Sequence, residues 1–162
     1  MRTISLLCLF ALMACGEICE ELPTYRYETI HGIKVITEGT NAPVKGLVEV
    51  WTQLTLDFWH GSLGTTPPVP KNVYAYFLEE DAVYDVEGNA YAGFAWRVTQ
   101  DKCGVIFQKT EVSNGSIHKV RYVFMHELTH ILFWKWDVLP KSGGQYDHQR
   151  MKDSGFNRTF GY

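Results

Sequence analysis

Apolar residues recur along this chain with two periods, and each change of period marks an element. From Ile33 to Thr37, and again from Val73 to Leu78, short runs rich in β-branched and aromatic residues read as strands. Between them the spacing lengthens. Val44, Leu47, Val48, Trp51, Leu54 and Phe58 lie three or four residues apart. They predict a helix that starts at Asn41-Ala42-Pro43 and buries those six side chains. Gly61 to Pro70 is rich in Gly, Thr and Pro and reads as a loop. Val83 to Val86 predicts a short strand followed by the turn Glu87-Gly88-Asn89. Tyr91 to Val98 alternates aromatic and small residues, as a strand does. Asp101-Lys102-Cys103-Gly104 predicts a turn, and Val105 to Lys109 the next strand.

The longest helical stretch runs from about Ser116 to Trp136. Ile117, Val120, Val123, Phe124, Ile131 and Leu132 recur at helical spacing, and no Gly or Pro lies between Ser116 and Leu139. Asn114-Gly115-Ser116 supplies a turn and an N-cap. Asp137 to Gln145 reads as a loop with Pro140 and Gly143-Gly144, and a last helix is expected from Tyr146 to Asp153. The expected class is α+β. A twisted, mainly antiparallel or mixed sheet packs on an N-terminal helix and on the long helix, with a short C-terminal helix to finish.

The long helix contains His126-Glu127-Leu128-Thr129-His130. Positions i and i+4 of a helix share a face, one turn apart. Two imidazoles at that spacing can reach one Zn²⁺, and Glu127 beside the first can act as general base. The pentapeptide thus points to two ligands, a base and a reaction class: hydrolysis of an amide by metal-activated water. A buried helix has little use for two histidines and a glutamate unless something binds them. His31, His60 and His118 share no face with the motif and read as structural or surface residues.

The first residues add a location. Arg2 precedes an apolar run from Ile4 to Ala14, the size of a signal-peptide core and too short to span a bilayer as a helix. The run ends in Leu12-Met13-Ala14-Cys15-Gly16, which resembles the bacterial lipobox, with Met13 bulkier than that position usually holds. The resemblance implies cleavage after residue 14, a lipid on Cys15 and membrane attachment through it; an ordinary secretory signal cut nearby is the alternative. Gly16 is not the aspartate that signals inner-membrane retention in enterobacterial lipoproteins, so the outer membrane is the expected site if the host has one. The expected division is a signal peptide over 1–14, a tether over 15–28 and one domain over 29–162.

Charge and cysteines change the picture only a little. The 162 residues carry 15 Lys and Arg against 18 Asp and Glu, and no basic stripe, which argues against nucleic acid as a partner. Of the four cysteines, Cys8 would leave with the signal and Cys15 would carry lipid. Cys19 and Cys103 remain, an even pair in an oxidising compartment, either bridged or as free thiols. Neither has C-x-x-C spacing, so a thiolate zinc site is not expected.

Strand, helix, several strands, then a His-Glu-x-x-His helix resembles the upper half of zincin metallopeptidases. In that group a strand before the motif helix forms the lip of the cleft and binds extended substrate; Tyr91 to Val98 and Val105 to Lys109 are the two candidates. Metzincins place a glycine and a third histidine where this chain has Phe133 and Trp136, and gluzincins use a later glutamate, of which none follows Glu127. The run from His130 to Trp136 followed by His148-Gln149-Arg150-Met151 is similar to SprT-like metallopeptidases, which implies His148 as third ligand; the glycine expected after it is Gln149 here. Aspzincins use an aspartate, which keeps Asp147 and Asp137 open. Tyr146 can stabilise an oxyanion, as a Tyr or His does in several zincins, or pack at the helix start. The implied function is that of a monomeric zinc peptidase acting on a peptide or protein; a zinc-binding structural or interaction lipoprotein with little turnover is the alternative.

Overall fold

A computed structural model of the chain describes residues 26–37, 43–69, 73–78, 83–84, 88–99, 103–109, 117–134 and 144–161. Its strands are β1 (Tyr27–Glu28), β2 (Ile33–Thr37), β3 (Val73–Leu78), β4 (Val83–Tyr84), β5 (Ala90–Tyr91), β6 (Gly93–Thr99) and β7 (Cys103–Lys109). Its helices are α1 (Lys45–Leu63), α2 (Ile117–Trp134), α3 (Gly144–Asp153) and α4 (Phe156–Phe160). The class is α+β. The leader, Cys15 and Cys19 lie outside the described residues, as do Asp137, Pro140 and Gly143 of the loop between α2 and α3 and the side chain of Cys103.

Five strands form one sheet in the order β1-β2-β3-β7-β6, and β4 and β5 form a separate two-stranded ribbon. The sheet is mixed and not mainly antiparallel. Its interior neighbours β2, β3 and β7 run parallel, with Val35 opposite Ala75 and Ala75 opposite Ile106. The reason is connection length. A parallel neighbour needs a long crossover, and α1 supplies one between β2 and β3, while β4 to β6 intervene between β3 and β7. Only the outer pairs, β1 with β2 and β6 with β7, are joined closely enough to run antiparallel. The six residues of β3 are all buried, as an unbroken apolar run at the centre of a covered sheet should be. Tyr27–Glu28, in the stretch expected to be tether, pairs with Val35 and Lys34 and so belongs to the sheet.

Helix α1 begins at Lys45 and buries a face rotated from the one expected, which shares with it Val48, Trp51 and the partly buried Phe58. Val48, Trp51, Thr52, Thr55, Leu56 and Trp59 are inside, whereas Leu47 and Leu54 are 38% and 37% exposed and Val44 66%. Two threonines account for the rotation. The hydroxyl of Thr52 donates to the Val48 carbonyl and that of Thr55 to the Trp51 carbonyl, both at 2.8 Å. Each side chain is satisfied within its own helix and can be buried at little cost. The helix also runs through Gly61 to Leu63. Gly64, at φ 74°, closes it in the left-handed conformation and donates its N–H to the His60 carbonyl.

Helix α2 packs across β6 and β7 and against α1. Phe124 meets Phe77 of β3 at 6.2 Å between ring centroids and Trp51 of α1 at 6.0 Å. Trp59 stacks on Phe156 at 5.6 Å and meets the edge of Phe133 at 4.6 Å, which joins α1, α2 and α4. No helix among the described residues is long and apolar enough to cross a membrane.

The Tyr27 hydroxyl donates to the Pro43 carbonyl at 2.7 Å, tying β1 to the entry of α1. Burial raises this phenol to about 12, with Arg26 opposing and Glu49 assisting. A folded pKa above the unfolded value of about 10 contributes stability that is complete below pH 10 and is lost as pH rises towards 12. Tyr76 is pushed up by burial in the same direction. Unfolding midpoints measured between pH 9 and 12 should therefore fall, and Tyr27→Phe should fall less steeply; an identical slope would mean that Tyr27 is not linked to folding.

Candidate metal centre

The site is built on α2. His126, His130 and Trp134 stand four residues apart and form one row, with Glu127 beside it. The opposite face carries Val120, Phe124, Leu128 and Ile131 into the core. Thr129 lies inside the motif and anchors its back. Its hydroxyl donates to the Met125 carbonyl at 2.8 Å and accepts the indole N–H of Trp59 at 3.0 Å. The row is thus held from α1 through a buried hydrogen bond.

Helix α3 brings the third histidine. His148 Nε2 lies 3.2 Å from His126 Nε2 and 3.1 Å from His130 Nε2. Asp147, fully buried one residue earlier, takes another direction. Its Oδ2 accepts from His130 Nδ1 at 2.9 Å, and its Oδ1 lies 3.5 Å from Arg150 Nη1. The aspartate therefore sits behind His130, on the far side of the ring from the convergent nitrogens. The structure brings His126, His130 and His148 together as a group that could hold a metal ion. Asp147 is directed at His130 Nδ1 and stands outside that group, and Asp137 lies outside the described residues.

Donor chemistry tests the fit. The Asp147 carboxylate claims the Nδ1 proton of His130, which leaves Nε2 with a lone pair. Burial pushes the His126 imidazole down to about 3, helped by His130 and His148 and opposed by Asp147. Burial also lowers His148, with His130 assisting and Asp147 opposing. Imidazole nitrogens brought this close can be joined by a shared proton or by a cation bound between them. Three nitrogens bound tetrahedrally at Zn–N distances of 2.0–2.1 Å lie about 3.3–3.4 Å apart, close to the separations here. Among the described residues the buried Nδ1 of His126 has no hydrogen-bond partner.

Glu127 is buried at 8% exposure and lines the same cavity as the three histidines. Burial pushes its carboxyl up to about 7, against the pull of His130 and of a hydrogen bond from the Ala95 backbone N–H. Ala95 belongs to β6, the edge strand of the sheet, whereas β7 is interior. The lip beside the site is therefore the Tyr91 to Val98 segment, split by the structure into β5 and β6. Tyr91, Gly93 and Ala95 line the cavity on that side; Trp134 and Gly144 line it on the other.

Tyr146 is not among the described residues that line the cavity, and it is 51% exposed. Successive helical residues point about 100° apart, so with Asp147 turned inward its neighbour Tyr146 is carried out of the site. The aromatic groups that line the cavity with the histidines are Tyr91 and Trp134, and the Tyr122 ring meets that of His126 at 5.7 Å between centroids. Trp134 had a signal in the sequence, since it continues the i, i+4 row by one more step. Tyr91, Gly93 and Ala95 had only the alternation of a strand.

Compared with family models, with curated proteins and with solved structures, the chain shows no match. The reading of the site therefore rests on its own geometry.

A ligand and its outer partner should separate in a chelator competition. His148→Ala is expected to weaken zinc binding by more than a hundredfold, and Asp147→Asn by the roughly 10–100-fold of a lost outer-shell hydrogen bond. The opposite ranking would make Asp147 the ligand.

Proposed function

We propose that this protein is a zinc-dependent peptidase of zincin type, exported and held to the cell envelope by a lipid on Cys15. The observation that carries the reading is the placement of one buried carboxyl, Glu127, in the same cavity as three convergent imidazole nitrogens. A structural zinc site is usually closed by four protein ligands and has no use for a base. Three histidines with a cavity beside them suit a catalytic site better.

His126, His130 and His148 would hold the ion. Zinc bound there would supply a Lewis acid that polarises a peptide carbonyl and makes water acidic near neutral pH. The chain's own residues do the rest. Glu127 accepts the proton of the attacking water at its carboxylate and delivers it to the leaving amine nitrogen. The Ala95 N–H holds that carboxylate in place from the edge strand. Asp147 holds His130 with Nε2 presented to the ion. Strand β6, at the free edge of the sheet, offers backbone groups to an extended substrate. The lipobox resemblance at Leu12 to Cys15 supports the envelope location, and the net charge of −3 gives no support for a nucleic-acid partner.

Glu127→Gln should keep one zinc per chain and lose hydrolysis of a peptide library by at least the roughly 10²–10⁴-fold typical of an absent general base. Loss of zinc in that variant, or turnover equal to an active wild type, would remove Glu127 as the base, whereas a zinc-loaded wild type that cleaves no peptide would leave a zinc-binding protein of structural or interaction type. Cys15→Ala should give an exported, soluble chain, because the lipid supplies the membrane affinity. Mass spectrometry of the wild-type N-terminus decides the matter: an unmodified cleaved chain would rule the lipid out.

A further inference from the structure

We propose that Tyr91 and Trp134 are the two aromatic walls of a subsite that selects a bulky, uncharged apolar side chain next to the scissile bond. The proposal rests on the peptidase reading and adds the substrate class to it. Each four-residue step along a helix advances about 6 Å. Trp134, four residues past His130 and eight past His126, stands one turn beyond the ligands at the end of the row. It is partly buried against the core, so its position is set by packing, and it also lines the cavity. Tyr91 faces the cavity from β5, on the strand side.

Between these rings the wall is made of very small residues. Gly93 and Ala95 are two apart on β6 and so share a face. Gly144, on the α3 side, has nothing within 4 Å of where a Cβ would stand. The result is a cavity of about 360 Å³ lined by the three imidazoles and Glu127, by Tyr91 and Trp134, and otherwise by the small residues Gly93, Ala95 and Gly144. A large apolar group in this cavity can lie against the aromatic residues, whereas a methyl group makes far less contact with them.

Charge narrows the class. Among the described lining residues there is no Lys or Arg to pair with an acidic side chain. The one carboxyl there is Glu127, which the reaction occupies. A lysine could lie against the aromatic faces, but a divalent ion held by three neutral imidazoles would repel it at this range. A substrate with an aromatic or large aliphatic residue beside the cleaved bond is what remains.

Amino-acid hydroxamates test the subsite by binding, without turnover. Phenylalanine, alanine and lysine hydroxamates would be titrated by calorimetry into the zinc-loaded wild type, Trp134→Leu and Tyr91→Ala, with zinc content measured for each. Leucine keeps an apolar group packed on the core, and Tyr91 is 42% exposed, so the second variant tests the other wall at a site that folding depends on less. The expected result is at least a tenfold preference for phenylalanine over alanine hydroxamate in the wild type. Each variant should lose most of that preference while keeping its zinc and its affinity for alanine hydroxamate. Equal affinities in the wild type, a preference for lysine, or a preference untouched by both substitutions would overturn the proposal. A peptide library separates the two readings. Cleavage without side-chain preference sinks the subsite and leaves the peptidase, whereas phenylalanine preference with no peptide cleaved sinks the peptidase and leaves the subsite.

Discussion

The hydrogen bond between Asp147 and His130 is the interaction on which the site depends. Asp147 has no exposed surface, and its partners are His130 and Arg150. Stripping one partner from a buried pair of this kind generally costs about 3–5 kcal/mol, so the pair is strongly held once made. It sets the His130 tautomer, and because Asp147 and His148 are adjacent it also delivers the third imidazole. Helix α3 also docks through Met151, which is fully buried in the core, and packs on α4. Its buried residues are Asp147 and Met151, and the remainder of its contact with α2 includes Arg150 over the Phe133 ring at 5.6 Å. An ion held by the three histidines would add a second link between α2 and α3. Docking of α3 and metal affinity are then one equilibrium, as is usual when ligands come from separate elements.

Helix α2 meets two opposed demands. Its core face must be apolar, and on the proposed reading its other face must keep polar groups dry enough to bind a cation yet open enough to admit a substrate. Burial lowers the His126 and His148 imidazoles and raises the Glu127 carboxyl for one reason: desolvation disfavours whichever form is charged. The result is a set of neutral donors beside a carboxyl near neutrality, the state in which a metal ligand and a general base are each of use. The Trp59 indole bonded to Thr129 keeps the helix from rolling. Two neighbouring aromatic residues, Phe133 and Phe156, hold that indole in turn.

Much of this was legible in the sequence, and the failures have a common cause. The motif helix, β2, β3 and the turn at Gly88 follow from local spacing, and local spacing is what determines them. The buried face of α1 was misjudged because Thr52 and Thr55 count as polar on paper but bond to their own helix. Tyr27–Glu28 and Phe156–Phe160 are too short to show a period; pairing with β2 and packing under Trp59 make them elements. The parallel interior of the sheet depends on which strands become neighbours, which alternation within a strand does not report. His148 entered through resemblance to a ligand pattern, and Asp147 stood beside it as an alternative. Only the tertiary direction of two adjacent side chains separates ligand from partner.

The exposure of the three histidines orders their roles. His130 is buried and bonded to Asp147, His126 is intermediate in exposure, and His148 is exposed on the first turns of α3. On the proposed reading, a closed structural centre would have no need of an exposed ligand, whereas a site that admits substrate has use for one beside an open wall, and Gly144, at φ 33° at the start of α3, lines that wall. Trp134 continues the row of His126 and His130 along α2 and packs against the core, so under the same proposal the aromatic subsite stands on the element that also carries two of the three imidazoles.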